Sequence, residues 1–323
     1  MNRKGALVLS LAAVLAAGLS VSGARIATSQ GTTITAMRTS ESVPLHEPWD
    51  EFWNGVPMID IPLSAQQVAP PMGGRRWTLT AGAVQDSSRI YVVAEWEDAS
   101  PERSVGAPQD FTDAVAVQFP AVAGTAVPAL CMGDPNATVN IWQWRAAWQA
   151  DVHRGFQGAV TGRYPNTAVD MYPAHDDDVF YPGRYAGNPF SVVNRASAVD
   201  NLVAGGFGSL TADPISSVQG WGAWRDGRWR VVFARPLSVA REGNVELHAP
   251  DITDVAFAVW DGAAQERNGM KSVANFVKLN VVTTEMEQAT GWPFWPAPYF
   301  VFIALWAGLV WTLAGRESRR ARA

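Results

Sequence analysis

Apolar and polar side chains alternate along several stretches in the middle of the chain, and alternation with a period of two predicts β-strands. The pattern predicts strands at residues 89–96, 113–119, 139–145, 229–233, 255–259 and 271–281. Between Trp224 and Trp229, the dipeptide Asp226-Gly227 suits a type I′ turn and predicts a β-hairpin. No amphipathic helix of more than about three turns is evident, and no repeat. The predicted fold class is all-β, an antiparallel β-sandwich with long loops.

The beginning of the chain has a different character from the middle. Residues 2–4 carry positive charge, residues 6–21 are apolar and uncharged, and residues 22–24 are small. This order predicts a secretory signal peptide at residues 1–24, with an uncleaved membrane anchor as the alternative. Residues 25–47 are polar without periodicity and are predicted to be an extended lead-in. The sandwich domain itself is predicted at residues 48–290.

A second apolar segment, residues 297–315, has no charged side chain. As a helix it is long enough to cross a hydrocarbon core of about 30 Å. Four arginines follow it, and no basic residue lies between Lys278 and Arg316. The positive-inside rule then predicts a single-pass cell-membrane protein with a cytoplasmic basic tail, residues 316–323, and the sandwich on the periplasmic side. A buried core helix is the alternative for residues 297–315.

The composition limits the possible chemistry. The 323 residues contain one cysteine, which excludes an intramolecular disulfide, c-type haem attachment, Fe–S clusters and cysteine-rich zinc sites. Between the two terminal segments the chain keeps 19 of its 25 basic and 29 of its 30 acidic residues, a net charge of about −10 that argues against nucleic acid as a partner.

Catalytic motifs are scarce. The four histidines, His46, His153, His175 and His248, are scattered without metal-ligand spacing. The run from His175 to Asp178 suits either a cation held by carboxylates or a solvated acidic loop. The sequence has no glycine-rich phosphate loop and no nucleophile elbow. It therefore offers no active site of its own.

The segment at residues 131–148 combines a methionine, a turn and an aromatic strand. Met132 precedes the turn Gly133-Asp134-Pro135-Asn136, and the predicted strand at 139–145 places Trp142 and Trp144 on one face. Methionine and tryptophan are usually buried, so these residues could be plain core. Alternation directs Cys131 away from Met132 and predicts a small buried thiol.

Lys271 is one of only three lysines in the chain. In the strand predicted at residues 271–281 it has the same phase as Val273 and Leu279, which directs it toward the core. A buried lysine is rare unless it has a role. Its neutral amine is a good iron ligand, and deprotonation at pH 7 costs about 4.6 kcal/mol from a reference pKa of about 10.4. Alternatively, Lys271 precedes the strand and reaches solvent.

Several short motifs occur together in one order along residues 45–283. They are Ile-Tyr-Val-Val-Ala-Glu-Trp-Glu-Asp at 90–98, Phe-Thr-Asp-Ala-Val-Ala-Val-Gln-Phe-Pro at 111–120, Met132-Gly133 with the strand that follows, residues 224–237, and Asn-Gly-Met-Lys-Ser-Val at 268–273. In this ordered set the chain resembles the haem-binding γ subunits of type II molybdenum enzymes of the dimethyl sulfoxide reductase family. These include ethylbenzene and dimethylsulfide dehydrogenases and selenate, chlorate and some nitrate reductases.

The resemblance implies a β-sandwich that holds one haem b with methionine and lysine as axial ligands. Those roles map onto Met132 and Lys271, and Trp142 and Trp144 are candidates for the pocket wall. It also implies a non-catalytic subunit that relays electrons between the Fe–S (β) subunit of a molybdenum (α) enzyme and a quinone or cytochrome carrier.

One feature departs from the family pattern. Its best-known members are soluble periplasmic subunits, whereas this chain carries the predicted membrane helix at 297–315, as in membrane-attached nitrate reductase or nitrite oxidoreductase assemblies. The identity of the catalytic partner therefore stays open. The alternative function is a membrane-anchored carbohydrate-binding β-sandwich without haem, which the abundant aromatic residues would also suit.

Overall fold

The computed structural model describes residues 29–30, 32–75, 77–122, 127–130, 132–155, 160, 163–166, 183, 186, 188, 191–192, 195–213 and 216–286. The predicted signal peptide, the membrane segment at 297–315, the basic tail, Cys131 and the acidic run at 175–178 lie outside these residues. Within the described ranges, no helix has the length and apolar character that a membrane span requires.

Fourteen strands and two short helices lie wholly within the described residues. The strands are β1 (Ser29–Gln30), β2 (Thr33–Arg38), β3 (Met58–Ala65), β4 (Trp77–Gln85), β5 (Arg89–Glu97), β6 (Ala114–Pro120), β7 (Val139–Arg145), β8 (Val199–Ala204), β9 (Thr211–Ala212), β10 (Gln219–Arg225), β11 (Arg228–Pro236), β12 (Asp251–Trp260), β13 (Ser272–Ala274) and β14 (Val277–Glu285). A 3₁₀ helix spans Glu51–Gly55, and α1 spans Ala146–Arg154.

The strands pair in the order β10-β11-β5-β4-β2-β14-β12-β6-β7-β8-β9. A second path joins β4 to β12 through β3 and β13. Pairing is antiparallel except for β1 with β3 and for β2 with both of its neighbours. The prediction of an all-β, mainly antiparallel sandwich is confirmed.

The two wings of the sheet, β10-β11-β5 and β6-β7-β8, pack face to face around tryptophans. Trp144 on β7 lies edge-on to Trp229 on β11 and Trp96 on β5, with ring centroids 4.9 and 6.4 Å apart. Gly222 on β10 leaves the room this contact needs, because a Cβ there would overlap the Trp144 indole. The core therefore lies between the wings, on the face of β7 that carries the tryptophans.

Local sequence signals located several strands correctly. The predicted strand at 139–145 coincides with β7, and those at 89–96 and 113–119 coincide closely with β5 and β6. The hairpin at Asp226-Gly227 joins β10 to β11, and both turn residues have positive φ (53° and 78°), as a type I′ turn requires.

Two boundaries differ from the prediction. The lead-in at 25–47 contains β2, which pairs between β4 and β14 and buries Ile34 and Ala36. The threonines and alanine of β2 alternate too weakly in hydrophobicity to predict a strand, and the strands that pair with it, β4 and β14, are distant in sequence. The strand predicted at 271–281 is two strands, β13 and β14, which Asn275 and Phe276 separate.

Candidate functional site

A cavity of about 730 Å³ lies on the outer face of the β6-β7-β8 wing and of the neighbouring strand β12, opposite the sandwich core. Its floor consists of small side chains on adjacent strands: Ala114 and Ala116 on β6, and Ala256 and Ala258 on β12. Ala116 and Ala258 are directly paired across the two strands. Because β6 also sends Val115, Val117 and Phe119 inward, all seven of its residues are buried. The result is a flat, apolar floor.

Met132 lies at one wall of the cavity, in the turn before β7. Its backbone N–H donates to Gln118 Oε1 at 3.3 Å, and its carbonyl accepts from the Gly206 N–H at 2.9 Å. The residue has a φ of 70°, and it packs half-buried against the apolar cluster of the floor. Gly133 follows with a φ of 71°, where a Cβ would collide with the Ala137 carbonyl. The turn thus fixes the methionine at the cavity.

Lys271 lies at another wall of the same cavity, immediately before β13. Its Nζ lies 5.1 Å from the ring centroid of Trp260, the last residue of β12. Its carbonyl accepts from the Gln66 N–H at 3.0 Å. Gly74 approaches the same carbonyl so closely that a Cβ would overlap it. Lys271 is therefore held in place by its backbone on the cavity rim.

The predicted direction of Lys271 was wrong in one respect. The side chain is half-buried and shares the cavity side of the sheet with Val273, whereas Leu279 lies in the sandwich core. The break between β13 and β14 removes the common phase that the prediction assumed. Lys271 therefore faces the outer cavity and not the core.

Trp142 and Trp144 do not line this cavity. Both indoles are fully buried on the opposite face of β7, in the sandwich core. Trp142 Nε1 donates to Asn140 Oδ1 at 3.0 Å, and Trp144 Nε1 donates to Gln149 Oε1 at 3.1 Å. Alternation along β7 gives the cavity Ile141, Gln143 and Arg145 instead. The prediction that these tryptophans form the pocket wall was wrong because it chose the wrong face of the strand.

Polar groups lie at the edge of the apolar floor. Arg145 donates to Gln143 Oε1 at 3.2 Å and stacks over Trp148 at 4.4 Å, and burial lowers its pKa to about 10. Arg267 stacks over Phe111 at 4.5 Å. These two arginines supply positive charge at the cavity, whose lining also includes the carboxyl groups of Asp110, Asp151 and Glu266.

Most of the residues that line the cavity were not predicted from the sequence. The four alanines belong to strands that were predicted, at 113–119 and 255–259, and Trp260 lies one residue beyond the second of these. The available signal was the alternation of alanine with large apolar residues, which marks a strand whose second face is also covered. Arg145 could have been predicted as well, because alternation along the strand predicted at 139–145 puts it on the face opposite Trp142 and Trp144.

The sequence model of the ethylbenzene dehydrogenase family matches residues 50–272, which include Met132 and Lys271. The chain belongs to the ethylbenzene dehydrogenase family. The family that the sequence motifs indicated, the γ subunits of dimethyl sulfoxide reductase-family enzymes, is thereby confirmed.

Three relatives with informative names align over much of the chain. A protein of Haloferax mediterranei named as a respiratory nitrate reductase heme subunit is 27% identical over 89% of this chain and 84% of its own length. The chlorate reductase subunit gamma of Ideonella dechloratans is 29% identical over 60% of this chain and 61% of its own. The dimethylsulfide dehydrogenase subunit gamma of Rhodovulum sulfidophilum is 26% identical, over 71% and 72%.

Among solved structures, a carbohydrate-binding protein from Bacteroides uniformis aligns at 8% identity with a TM-score of 0.42, over 78% of this chain and 99% of its own. A family 9 carbohydrate-binding module from Caldicellulosiruptor kristjanssonii aligns at 11% identity with a TM-score of 0.39, over 80% and 97%. These scores are too low to support any functional argument.

Proposed function

We propose that this chain is the haem-binding γ subunit of a molybdenum oxidoreductase complex and that it relays electrons without catalysing the substrate reaction. One haem b would occupy the outer cavity, with Met132 and Lys271 as axial ligands. The observation that carries the proposal is that these two residues, far apart in sequence, line one cavity. The names of the relatives from nitrate, chlorate and dimethylsulfide enzymes support it.

The cavity suits a large planar ligand. Its volume of about 730 Å³ lies within the usual range for cofactor pockets. The small alanine side chains leave the cavity open to a bulky apolar ring, and the walls offer a thioether and an amine as donors. Methionine is a known axial ligand of haem iron, and the lysine amine is able to bind a metal once it is deprotonated.

The haem and the residues around it would each contribute differently to electron transfer. Bound haem supplies one-electron transfer, and a thioether ligand raises its potential by favouring ferrous iron. Lys271 would have to bind as the neutral amine, because a protonated amine has no lone pair to offer iron. Arg145 and Arg267, at the polar edge of the cavity, would pair with the carboxylates of the cofactor.

The proposed partners rest on the same family assignment, and the proposed membrane attachment rests on the two apolar segments of the sequence. The partners would be an Fe–S subunit and a molybdenum catalytic subunit, with a quinone or a cytochrome as the other electron carrier. Export by residues 1–24 and anchoring by residues 297–315 would place the sandwich on the outer side of the cell membrane, with residues 316–323 in the cytoplasm.

The visible spectrum of the purified full-length protein tests the ligand assignment. We expect a low-spin b-type spectrum that is lost or becomes high-spin in Met132→Ala and in Lys271→Ala. Met72→Ala and Lys278→Ala are matched controls, because Met72 is exposed and Lys278 pairs with Asp254 at 2.8 Å on an exposed part of β14. A colourless protein that binds glycans would overturn the proposal in favour of a carbohydrate-binding module. A spectrum that neither Met132→Ala nor Lys271→Ala changes would overturn the assignment of these residues as ligands.

A further inference from the structure

Four carboxylates converge where three strands end beside the cavity. Asp98 follows β5, Asp113 precedes β6, Asp261 follows β12, and Glu102 lies in the loop between β5 and β6. One oxygen from each lies within 4.8 Å of the others. The three aspartates are buried, with exposures of 4%, 0% and 3%, and Glu102 is half-buried. So many acidic groups in so small a buried volume repel one another strongly unless positive charge is bound.

The protein itself supplies some positive charge near the four carboxylates and hydrogen bonds to several of their oxygens. Arg75 pairs with Asp261 at 2.8 Å. Asp113 accepts from Trp229 Nε1 at 2.9 Å and from the backbone N–H groups of Glu102 and Gly262. Within the described structure, the buried oxygens Asp98 Oδ2 and Glu102 Oε2 have no hydrogen-bond partner. A buried oxygen in this state in a native protein calls for a partner, and a bound ion is one that would satisfy both of these oxygens.

A bound cation would offset the repulsion among the four carboxylates, and protons shared between them are the competing explanation.

We propose that Asp98, Glu102, Asp113 and Asp261 bind a calcium ion. All four donors are carboxylate oxygens, which hard cations prefer, and no cysteine or histidine belongs to the cluster. Calcium tolerates the irregular geometry of ligands from separate loops, whereas magnesium demands a near-ideal octahedron.

The ion would join the two loops that border the cavity. The loop after Asp98 includes Phe111, which lines the cavity, and the loop after Asp261 leads to Lys271. The loops already touch, because Gly262 approaches the Phe111 carbonyl so closely that a Cβ would overlap it. Calcium bound between them would hold Lys271 and its loop in position whether or not haem is present.

Terbium luminescence tests this site directly, because Tb³⁺ replaces Ca²⁺ in oxygen-ligand sites and Trp229 lies in contact with Asp113. We expect the chelator-treated full-length protein to sensitise Tb³⁺ on tryptophan excitation and to release it when Ca²⁺ is added. Asp98→Asn and Glu102→Gln should each weaken Ca²⁺ binding at least about tenfold, because each removes one of four charged ligands. Glu97→Gln is the matched control, since Glu97 neighbours Asp98 but is 80% exposed.

Thermal unfolding supplies the second measurement. Ca²⁺ should raise the unfolding midpoint of the chelated protein and of Glu97→Gln, and at the same Ca²⁺ concentration it should raise that of Glu102→Gln clearly less. Glu102 is half-buried, so its substitution keeps the test valid even where Asp98→Asn fails to fold. The proposal is overturned if Tb³⁺ does not bind and Ca²⁺ leaves the midpoint unchanged, which would indicate shared protons. Equal competition by Mg²⁺ would overturn the assignment to calcium. Neither outcome depends on haem.

Discussion

The indole of Trp229 donates its Nε1 hydrogen to Asp113 Oδ2 at 2.9 Å, which connects the aromatic core of the sandwich to the carboxylate cluster beside the cavity. Trp229 also stacks on Trp96 and lies edge-on to Trp144. Asp113 immediately precedes β6, which supplies half of the alanine floor. The packing of the core and the position of the cavity floor are therefore linked through one side-chain hydrogen bond.

Trp229→Phe should test that link. The substitution keeps most of the aromatic volume but removes the donor, so we expect the free energy of unfolding to fall by about 1–3 kcal/mol. Urea unfolding at neutral pH measures it. Trp49→Phe is the comparison, because Trp49 Nε1 donates to a backbone carbonyl in a half-buried position and its loss should cost less. Equal losses in the two variants would contradict the special role of Asp113.

Gly222→Ala should destabilise the sandwich. The added Cβ would overlap the Trp144 indole between the wings, and overpacking of this kind costs about 1–3 kcal/mol. Gly55→Ala is the control, since a Cβ at Gly55 meets nothing within 4 Å. Denaturant midpoints of both variants provide the measurement. A Gly222→Ala protein as stable as Gly55→Ala would show that the wings pack less closely than described.

Ala116→Leu should block the cofactor without unfolding the protein. The larger side chain would rise from the alanine floor into the cavity, where it has space, so stability should change by less than about 1 kcal/mol. The ratio of haem to protein after purification should fall at least fivefold, about 1 kcal/mol of binding. Ala263→Leu, at an exposed position, is the matched control. Normal haem content in Ala116→Leu would place the haem elsewhere.

Lys271→Met distinguishes ligation from a merely structural role. A second thioether is able to replace the amine on iron, so this variant should retain haem where Lys271→Ala does not, and its potential should rise because thioethers favour ferrous iron. The visible absorbance gives the haem content, and a potentiometric titration monitored by the same absorbance gives the reduction potential. An unchanged potential with full haem content would show that Lys271 is not bound to the iron.

Tyr91 should make stability depend on pH in the alkaline range. Burial and the hydrogen bond to Asp86 raise its pKa to about 12, whereas the pKa of a tyrosine in the unfolded chain is about 10. Both states are neutral below pH 10, so its contribution is complete there. As pH rises from about 10 to 12, the unfolded chain ionises first, and stability falls.

The variant Tyr91→Phe isolates this contribution. Its denaturant midpoint should fall less steeply between pH 10 and 12 than that of the wild type. Tyr164→Phe, at a residue 44% exposed, is the control and should follow the wild type. Identical pH profiles for wild type and Tyr91→Phe would show that the buried phenol is not the titrating group.

The sequence by itself determined the features that depend on neighbouring residues. Alternation located β7, and Asp226-Gly227 specified a hairpin turn because few dipeptides accept two positive φ angles in succession. The ordered motifs identified the family and singled out Met132 and Lys271. Each of these signals is short, and none requires knowledge of which strands pair.

Only the tertiary structure decided which face of each strand meets the core and which meets the cavity. Period-two alternation separates the two faces of β7 but does not say which one is covered by the opposite wing, so Trp142 and Trp144 were assigned to the wrong side. The insertion of β2 into the sheet and the meeting of Asp98, Asp113 and Asp261 depend on pairings between distant segments. Such contacts arise because the whole chain buries its apolar surface, and no local pattern encodes them.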